Sequence, residues 1–207
     1  LAPGDEILTT DHEYNAILVA AGIVAGRGGG TLVTARLGLP IRDEDQVVER
    51  VLAAVTPRTR LAVLSHITSP TGIVLPIERL VRELGARGVD TLVDGAHAPG
   101  MVPVDLAALG AAYWTGNGHK WCCAPKGAAV LHVREDRRAL VEPLAWSHGF
   151  ADPREDRPLV WRRFDWTGTT DPTPIICLAD AKFLDNQYTV WGRVIEGMDN
   201  IDKIKKG

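Results

Sequence analysis

Two short stretches of the chain carry side chains that could do covalent chemistry. One reads TLVDGAHAPG over residues 91–100, and the other reads YWTGNGHKW over residues 113–121. Lys120 follows Asp94 by 26 residues, which is about one strand–helix–strand crossover of roughly 30 residues. A carboxylate and an amine at this spacing can therefore meet in one pocket, where the amine could act as a nucleophile towards a carbonyl group.

An amine and a carboxylate with glycine and histidine neighbours suit the chemistry of pyridoxal 5'-phosphate (PLP). The lysine would form a Schiff base with the cofactor aldehyde, and the carboxylate would keep the pyridine nitrogen protonated, so that the ring acts as an electron sink. The alternative is that Asp94 caps a helix and Lys120 is a surface lysine. If only one of the two stretches were present, this alternative would be favoured. Because residues 1–181 hold sixteen arginines but only two lysines, Lys120 and Lys126, arginine is the default cation there, which weakens this alternative slightly.

Short apolar strands alternate with helices around these two stretches. The pattern predicts strands at residues 6–10, 31–35, 60–65, 91–93, 111–115 and 127–133, and helices at residues 14–25, 43–55, 77–86 and 106–109. This order is typical of an α/β protein with a mostly parallel sheet that is covered on both faces. Ligands bind beyond the carboxyl ends of the strands in such sheets, and both stretches directly follow a predicted strand.

The composition narrows the class of protein. A chain of 207 residues with 45% hydrophobic residues and a net charge of −3 predicts a globular protein with one core, or one domain and a piece of another. We expect no membrane span, no nucleic-acid partner and no metal, because apolar runs of about 18 residues, basic clusters and metal-ligand spacings are absent from the sequence. Three cysteines without a pairing pattern favour the cytoplasm.

The two stretches resemble the class V aminotransferase family. The match rests on VDGAHAPG (93–100) and GNGHKWCCAPKGAAVLHVR (116–134), and is nearest to the isopenicillin-N epimerase-like branch, which is related to the cysteine desulfurases. Three further motifs agree in the family's order, namely GDEILTTDHEYNA (4–16), SHITSPTGIVLPI (65–77) and WTGTTDP (166–172). The resemblance covers about residues 1–174 and implies the large domain of a PLP-dependent transferase, in incomplete form.

The resemblance implies a role for each matching residue. Lys120 would be the Schiff-base lysine, Asp94 would bind the pyridine nitrogen, and His97 would lie beside the phenolic oxygen of the ring. Asn117 and His119 would contact the phosphate. We therefore expect these five side chains to surround one bound cofactor.

Two further roles are implied less directly. The residue that stacks on the ring is either His12 or Tyr14, because the register of the DHEY stretch (11–14) against the family is open. Thr169 would reach the phosphate of a neighbouring subunit, which implies a homodimer.

The last part of the chain resembles a different family. FLDNQYTVWGRVIEGMDNIDKIKKG (183–207) is similar to the C-terminal part of a cyclophilin-type peptidyl-prolyl isomerase, and four of the six lysines lie in residues 182–207. We therefore expect a partial PLP-dependent domain over residues 1–174 and a partial cyclophilin-like segment over residues 175–207. One phosphate-binding loop and the carboxylate-binding arginine of the PLP-dependent family would lie outside this chain.

The resemblances imply one main activity and several alternatives. The main expectation is an isopenicillin-N epimerase-like PLP enzyme that acts at the Cα of an amino acid through the Lys120 Schiff base. The alternatives are a C–S lyase of the desulfurase type, a transaminase, a peptidyl-prolyl isomerase fragment, and an inactive chimera.

Overall fold

A computed structural model describes residues 1–151, 156–165 and 168–179. Within these ranges the strands are β1 (Glu6–Thr10), β2 (Thr31–Ala35), β3 (Thr59–Ser65), β4 (Asp90–Asp94), β5 (Tyr113–Asn117) and β6 (Ala129–Val133). The helices are α1 (Asn15–Arg27), α2 (Glu44–Ala53), α3 (Ile77–Gly85), α4 (Leu106–Leu109), α5 (Leu159–Asp165) and α6 (Thr173–Ala179), and a 3-10 helix covers Glu135–Leu140. Most of the cyclophilin-like segment lies outside the described residues.

The strands form one sheet in the order β2-β1-β3-β4-β5-β6. All neighbouring pairs are parallel except β5 and β6, which run antiparallel. Four of the crossovers carry a helix between strands, as parallel pairing requires. The prediction of an α/β protein with a mostly parallel sheet is therefore confirmed.

Local sequence signals explain where several helices begin and end. The side chain of Asp43 accepts a hydrogen bond from the Gln46 backbone N–H at 2.8 Å and so caps α2. Asp105 caps α4 in the same way, and α4 ends at Gly110, whose φ of 66° is left-handed and suits glycine. These caps fix the lengths of the crossovers that bring successive strands side by side.

Helices cover both faces of the sheet, and this divides the core into two parts. On one face, Ala21 and Ala25 of α1 pack against Ile7 and Val63. On the other face, α2 and α3 pack against Leu8, Leu64 and Val93, which belong to the larger cluster. The burial of these aliphatic side chains holds the strand ends, and the loops that follow them, in fixed relative positions.

The helix α6 packs onto the same core. Leu178 is buried and belongs to the larger cluster, and its side chain lies against Gly118, where an added Cβ would come within 3.0 Å of it. Leu178 follows the predicted boundary at residue 174. The division of the chain at this point stays a prediction, and the described residues up to 179 are packed with the sheet.

Candidate functional site

The loops that carry the two chemical stretches are fixed by hydrogen bonds that continue past the strand ends. The backbone N–H of His66 donates to the carbonyl of Asp94 at 2.8 Å, and the backbone N–H of Gly95 donates to the carbonyl of Thr115 at 2.7 Å. The carboxyl ends of β3, β4 and β5 therefore stay level with one another, and the side chains that follow them converge at one edge of the sheet.

A cavity of about 280 Å³ lies at this edge, on the face of the sheet that α1 covers. Ser65, Asp94 and Thr115 occupy paired positions on adjacent strands and therefore line it in a row. Its volume is near the lower end of the roughly 300–1,000 Å³ of small-molecule sites. The cavity is lined by Tyr14, Ile17, Ser65, Ile67, Ser69, Leu92, Asp94, Ala96, His97, Thr115, Asn117 and Lys120.

Asp94 is held in place by its own loop. One carboxylate oxygen, Oδ1, accepts a hydrogen bond from the Ala96 backbone N–H at 2.9 Å, and the residue is only 8% exposed. A buried carboxylate that faces a cavity is stable when a cation pairs with it. This position suits the protonated nitrogen of a heteroaromatic ring.

Lys120 and Trp121 both contact the imidazole of His97. Lys120 Nζ lies 3.1 Å from His97 Nε2, and Trp121 Nε1 donates a hydrogen bond to His97 Nδ1 at 3.2 Å. Burial and the positive charge of Lys120 lower the pKa of His97, and the carboxylate of Asp94 opposes them. His97 is therefore neutral at physiological pH, with one nitrogen towards the amine and the other towards the indole.

A second buried carboxyl group lies behind Asp94. Glu13 is 4% exposed, and its carboxyl accepts hydrogen bonds from the hydroxyl groups of Thr10, at 2.7 Å, and Ser65. Burial raises the pKa of Glu13 despite these hydrogen bonds, and the charge of Asp94 raises it further. Sequence reasoning missed this residue. The available signal was an acidic residue three positions after the end of a predicted strand.

Two glycines let the site loops approach a buried tryptophan. Trp114 is fully buried on the face of the sheet opposite the cavity. A Cβ at Gly95 or at Gly116 would overlap with its indole ring. Glycine is therefore required on both sides of this ring, and the ring supports the loop that carries Asp94.

The remaining predicted residues lie at different distances from the cavity. Asn117 and Tyr14 line it, whereas His12 is buried and its Nδ1 lies 3.0 Å from the Thr71 hydroxyl. His119 is exposed in the turn after β5 and is not among the lining residues, because its neighbour Lys120 faces inwards. Thr169 is also exposed. The roles in stacking and phosphate binding that the resemblance implies for these residues stay predictions.

A larger cavity, of about 570 Å³, lies at the opposite edge of the sheet. Three of its charged residues form ion pairs with one another, because Asp90 accepts from Arg137 Nε at 2.7 Å and from Arg134 at 3.3 Å. No lysine of the described ranges lines it. This paired network stabilises the start of β4 and offers no nucleophile, so the smaller cavity is the candidate active site.

The described residues contain neither a membrane-spanning helix nor a cluster of metal ligands. In the part of the chain that the structure describes, no helix is long and apolar enough to cross a membrane. Across the same residues, no group of histidine, cysteine and acidic side chains could hold a metal ion.

The fold and the cavity together define an α/β domain of the PLP-dependent class, with a lysine, a carboxylate and an imidazole beyond the carboxyl ends of parallel strands. The chain belongs to the aminotransferase class-V family, whose model matches residues 1–180. A second model, cyclophilin type peptidyl-prolyl cis-trans isomerase/CLD, matches residues 174–207. These matches confirm the family that the motifs predicted, the class of enzyme and its cofactor.

Individual relatives agree with this family. The chain is 44% identical over 172 residues to the isopenicillin N epimerase of Amycolatopsis lactamdurans, an alignment that covers 83% of this chain and 42% of the relative. The cysteine desulfurase CsdA of Escherichia coli has a similar structure, with a TM-score of 0.76, 25% identity, and coverage of 92% of this chain and 47% of that chain. A C-DES variant with glycine covalently linked to the PLP cofactor has a TM-score of 0.75, 27% identity, and coverage of 92% and 51%.

The chain therefore spans about half the length of each of these three proteins.

Proposed function

We propose that this chain binds PLP at Lys120 and supplies the cofactor site of an isopenicillin-N epimerase-like enzyme that acts at the Cα of an amino acid. One observation carries the proposal. Lys120, Asp94 and His97 line one cavity at the carboxyl edge of the sheet. The alignment covers 42% of the epimerase that the chain resembles, so the proposed role of this chain is limited to the cofactor site.

The donor set of the cavity fits PLP. The cofactor supplies an aldehyde that reacts with an amine and a ring that withdraws electrons from Cα. The Ala96 N–H holds Oδ1 of Asp94 in place. The carboxylate fixed in this way would pair with the ring nitrogen. His97 would donate a hydrogen bond to the phenolic oxygen, and Asn117 would donate to the phosphate. Lys120 would hold the cofactor, and its released amine would then move the Cα proton.

None of the described cysteines lies at the cavity. Cys122 is buried, and Cys123 and Cys177 are exposed, but none of them lines it. A thiol that attacks a substrate sulfur must reach the substrate, so desulfurase chemistry would need a thiol from another part of the protein. A C–S lyase without a thiol nucleophile, or a transaminase, remains the second candidate within the enzyme class.

A visible absorption spectrum of the purified chain with PLP tests the proposal. We expect a band from protein-bound PLP that is lost in Lys120→Ala and kept in Lys126→Ala, because Lys126 is exposed and does not line the cavity. After borohydride reduction, mass spectrometry should find the cofactor on Lys120. A wild-type protein without the band, or with the cofactor on Lys126, would overturn the proposal.

Isotope exchange separates the reaction types. An epimerase-like enzyme should exchange the Cα proton of an amino acid with deuterated water and invert the centre. A lyase should release a sulfur product, and a transaminase should transfer the amino group to a keto acid. Because the chain spans only 42% of the epimerase that it resembles, this assay should be done with the full-length protein.

The oligomeric state and the compartment are parts of the same proposal. Thr169 is exposed, which suits contact with a phosphate in a second subunit, so we infer a homodimer. Light scattering would detect it. The three free cysteines favour the reducing cytoplasm.

The segment from residue 174 to 207 supports a second candidate function, peptidyl-prolyl isomerisation, because a cyclophilin-type model matches it. A segment of this length covers only part of a cyclophilin-type domain. We therefore expect a proline-isomerisation assay on a model peptide to give the uncatalysed rate, as for a chimera without isomerase activity. A faster rate would support the second candidate.

A further inference from the structure

Trp121 contacts the candidate active site through His97. It directly follows Lys120 and is 52% exposed, but its indole Nε1 lies 3.2 Å from His97 Nδ1. An indole N–H can donate a hydrogen bond and cannot accept one. The contact therefore requires that His97 Nδ1 be the unprotonated nitrogen of the ring.

The backbone around Trp121 holds this contact in place. Gly100 has a φ of 82°, and an added Cβ there would lie 2.9 Å from the carbonyl oxygen of Trp121. The loop that carries His97 and the loop that carries Trp121 thus touch at Gly100. Because the two loops are packed together at this point, the backbone of Trp121 is held next to the loop that carries His97.

The other nitrogen of His97 faces the cavity. When Nδ1 accepts from Trp121, a neutral imidazole carries its proton on Nε2. The Nε2 side of the ring lies 3.1 Å from Lys120 Nζ. A lysine ammonium would donate to Nε2 and favour the opposite tautomer, so Lys120 in its charged form competes with Trp121. When Lys120 carries no ammonium, as in a Schiff base, the hydrogen bonds run in one direction, from Trp121 to His97 and from His97 into the site.

We propose that Trp121 is a positioning residue that fixes the tautomer of His97, so that the imidazole presents its Nε2–H to the cofactor side of the cavity. The use of that N–H, donation to an anionic oxygen of the bound cofactor, rests on the proposed function. In the opposite tautomer, Nε2 would be an acceptor and would repel such an oxygen. Trp121 acts through His97 and does not line the cavity itself.

The charged groups next to His97 act on the Nε2 side or on the ring as a whole, whereas Trp121 acts on Nδ1. Lys120 and Asp94 are the charged groups that act on this imidazole, and they shift its pKa in opposite directions. Neither contacts Nδ1, which accepts from Trp121. Loss of the indole N–H should therefore change the distribution of the proton between the two nitrogens.

Nuclear magnetic resonance of the PLP-free Lys120→Met variant, in which no ammonium can donate to His97 Nε2, tests the proposal directly. The protein has six histidines, and nitrogen-15-labelled histidine with a His97→Gln variant assigns the signals of His97. We expect neutral His97 to carry its proton on Nε2 alone when Trp121 is present. In Trp121→Phe, which keeps an aromatic ring, the shifts should become those of a tautomer mixture. The pKa of His97 should also rise, because protonation of Nδ1 no longer breaks a hydrogen bond.

In the Lys120→Met background, a proton on Nδ1 while Trp121 is present, or identical tautomers and pKa values after Trp121→Phe, would overturn the proposal. Trp146→Phe is the matched control, because Trp146 is another exposed tryptophan that does not line the cavity. It should leave the His97 signals unchanged. A change in both variants would indicate a general effect of tryptophan loss and would also count against the proposal.

Titration with PLP adds a second measurement. We expect Trp121→Phe to weaken PLP binding by about 2- to 10-fold, as loss of one neutral hydrogen bond does. In a His97→Gln background the same change should have no effect, because glutamine has no tautomer to fix. If PLP fails to bind the wild type while the tautomer is fixed, the proposed function fails and the role of Trp121 stands.

Discussion

Ser65 donates a hydrogen bond from its hydroxyl group to the buried carboxyl of Glu13. Ser65 is also the strand neighbour of Asp94, and both line the cavity. Burial raises the pKa of Glu13, and the charge of Asp94 raises it further, because a nearby negative charge disfavours the ionised form. The Ser65 hydroxyl therefore links a carboxyl group with a raised pKa to the wall of the cavity.

The free energy of unfolding of the Glu13→Gln variant should increase relative to that of the wild type as the pH rises. The folded-state pKa of Glu13 lies above 4.5, the ordinary value for a glutamate. Below 4.5 its contribution to stability is fully present, and it is lost as the pH rises through the folded-state pKa. Glutamine does not titrate, so the difference should grow by about 1.4 kcal/mol for each unit of pKa shift.

Urea denaturation between about pH 5 and about pH 8 would measure this difference. Glu49→Gln is the control for general loss of a carboxylate, since Glu49 is exposed on α2. A Glu13→Gln variant whose stability relative to the wild type stays constant over this range would contradict the raised pKa.

Asp94→Asn should weaken PLP binding by about 10- to 100-fold, because one charge-assisted hydrogen bond of roughly 1.5–3 kcal/mol is lost. Asp90→Asn is a matched control on the same strand. It removes ion pairs with Arg134 and Arg137 at the opposite edge of the sheet. We expect this control to lower the urea midpoint and to leave PLP affinity unchanged. Equal losses of affinity would mean that Asp94 acts only through stability.

Much of the fold could be predicted from the sequence, because apolar runs and turn residues mark elements locally. The predicted strands at 6–10 and 31–35 coincide with β1 and β2, and the helix at 106–109 coincides with α4. The strand predicted at 111–115 begins two residues early, since Ala111 and Ala112 are buried before pairing starts. The antiparallel direction of β6 was not predicted, because it depends on pairing across the sheet.

The site was predictable only as a set of residue types. The spacing of Asp94 and Lys120 indicated one pocket, and the structure places both in the same cavity. The contact of Trp121 with His97 and the burial of Glu13 depend on how separate loops meet. Such contacts have no periodic signal, and the open choice between His12 and Tyr14 has the same cause.

Gly95→Ala should destabilise the protein by about 1–3 kcal/mol, because its Cβ would overlap with the buried Trp114 ring and force the packing to shift. The shift would move the Asp94 loop, so PLP binding should weaken as well. Gly85→Ala is the control, because no atom lies within 4 Å of an added Cβ there. At the end of α3 it should be neutral or stabilise by up to about 1 kcal/mol.

Urea denaturation of the two alanine variants would compare them. A Gly95→Ala protein as stable as Gly85→Ala would show that the loop can move away from Trp114 at little cost. In that event the close packing of Gly95 on the indole would not be what positions Asp94.

Thiol modification should distinguish the three cysteines without affecting the cofactor site. Cys123 and Cys177 are exposed, and Cys122 is buried. Burial also raises the pKa of Cys122, with a smaller effect from Cys123. Because the thiolate is the reactive form, we expect two fast equivalents and one slow equivalent with a thiol reagent. Cys123→Ser should remove one fast equivalent.

The modified protein should still bind PLP, because no cysteine of the described residues lines the cavity. In the full-length enzyme, exchange of the Cα proton should likewise survive after the two fast thiols are blocked. Loss of that activity on modification of Cys123 or Cys177, with PLP still bound, would place a thiol in the reaction. It would favour the desulfurase alternative over epimerase-like chemistry at Cα.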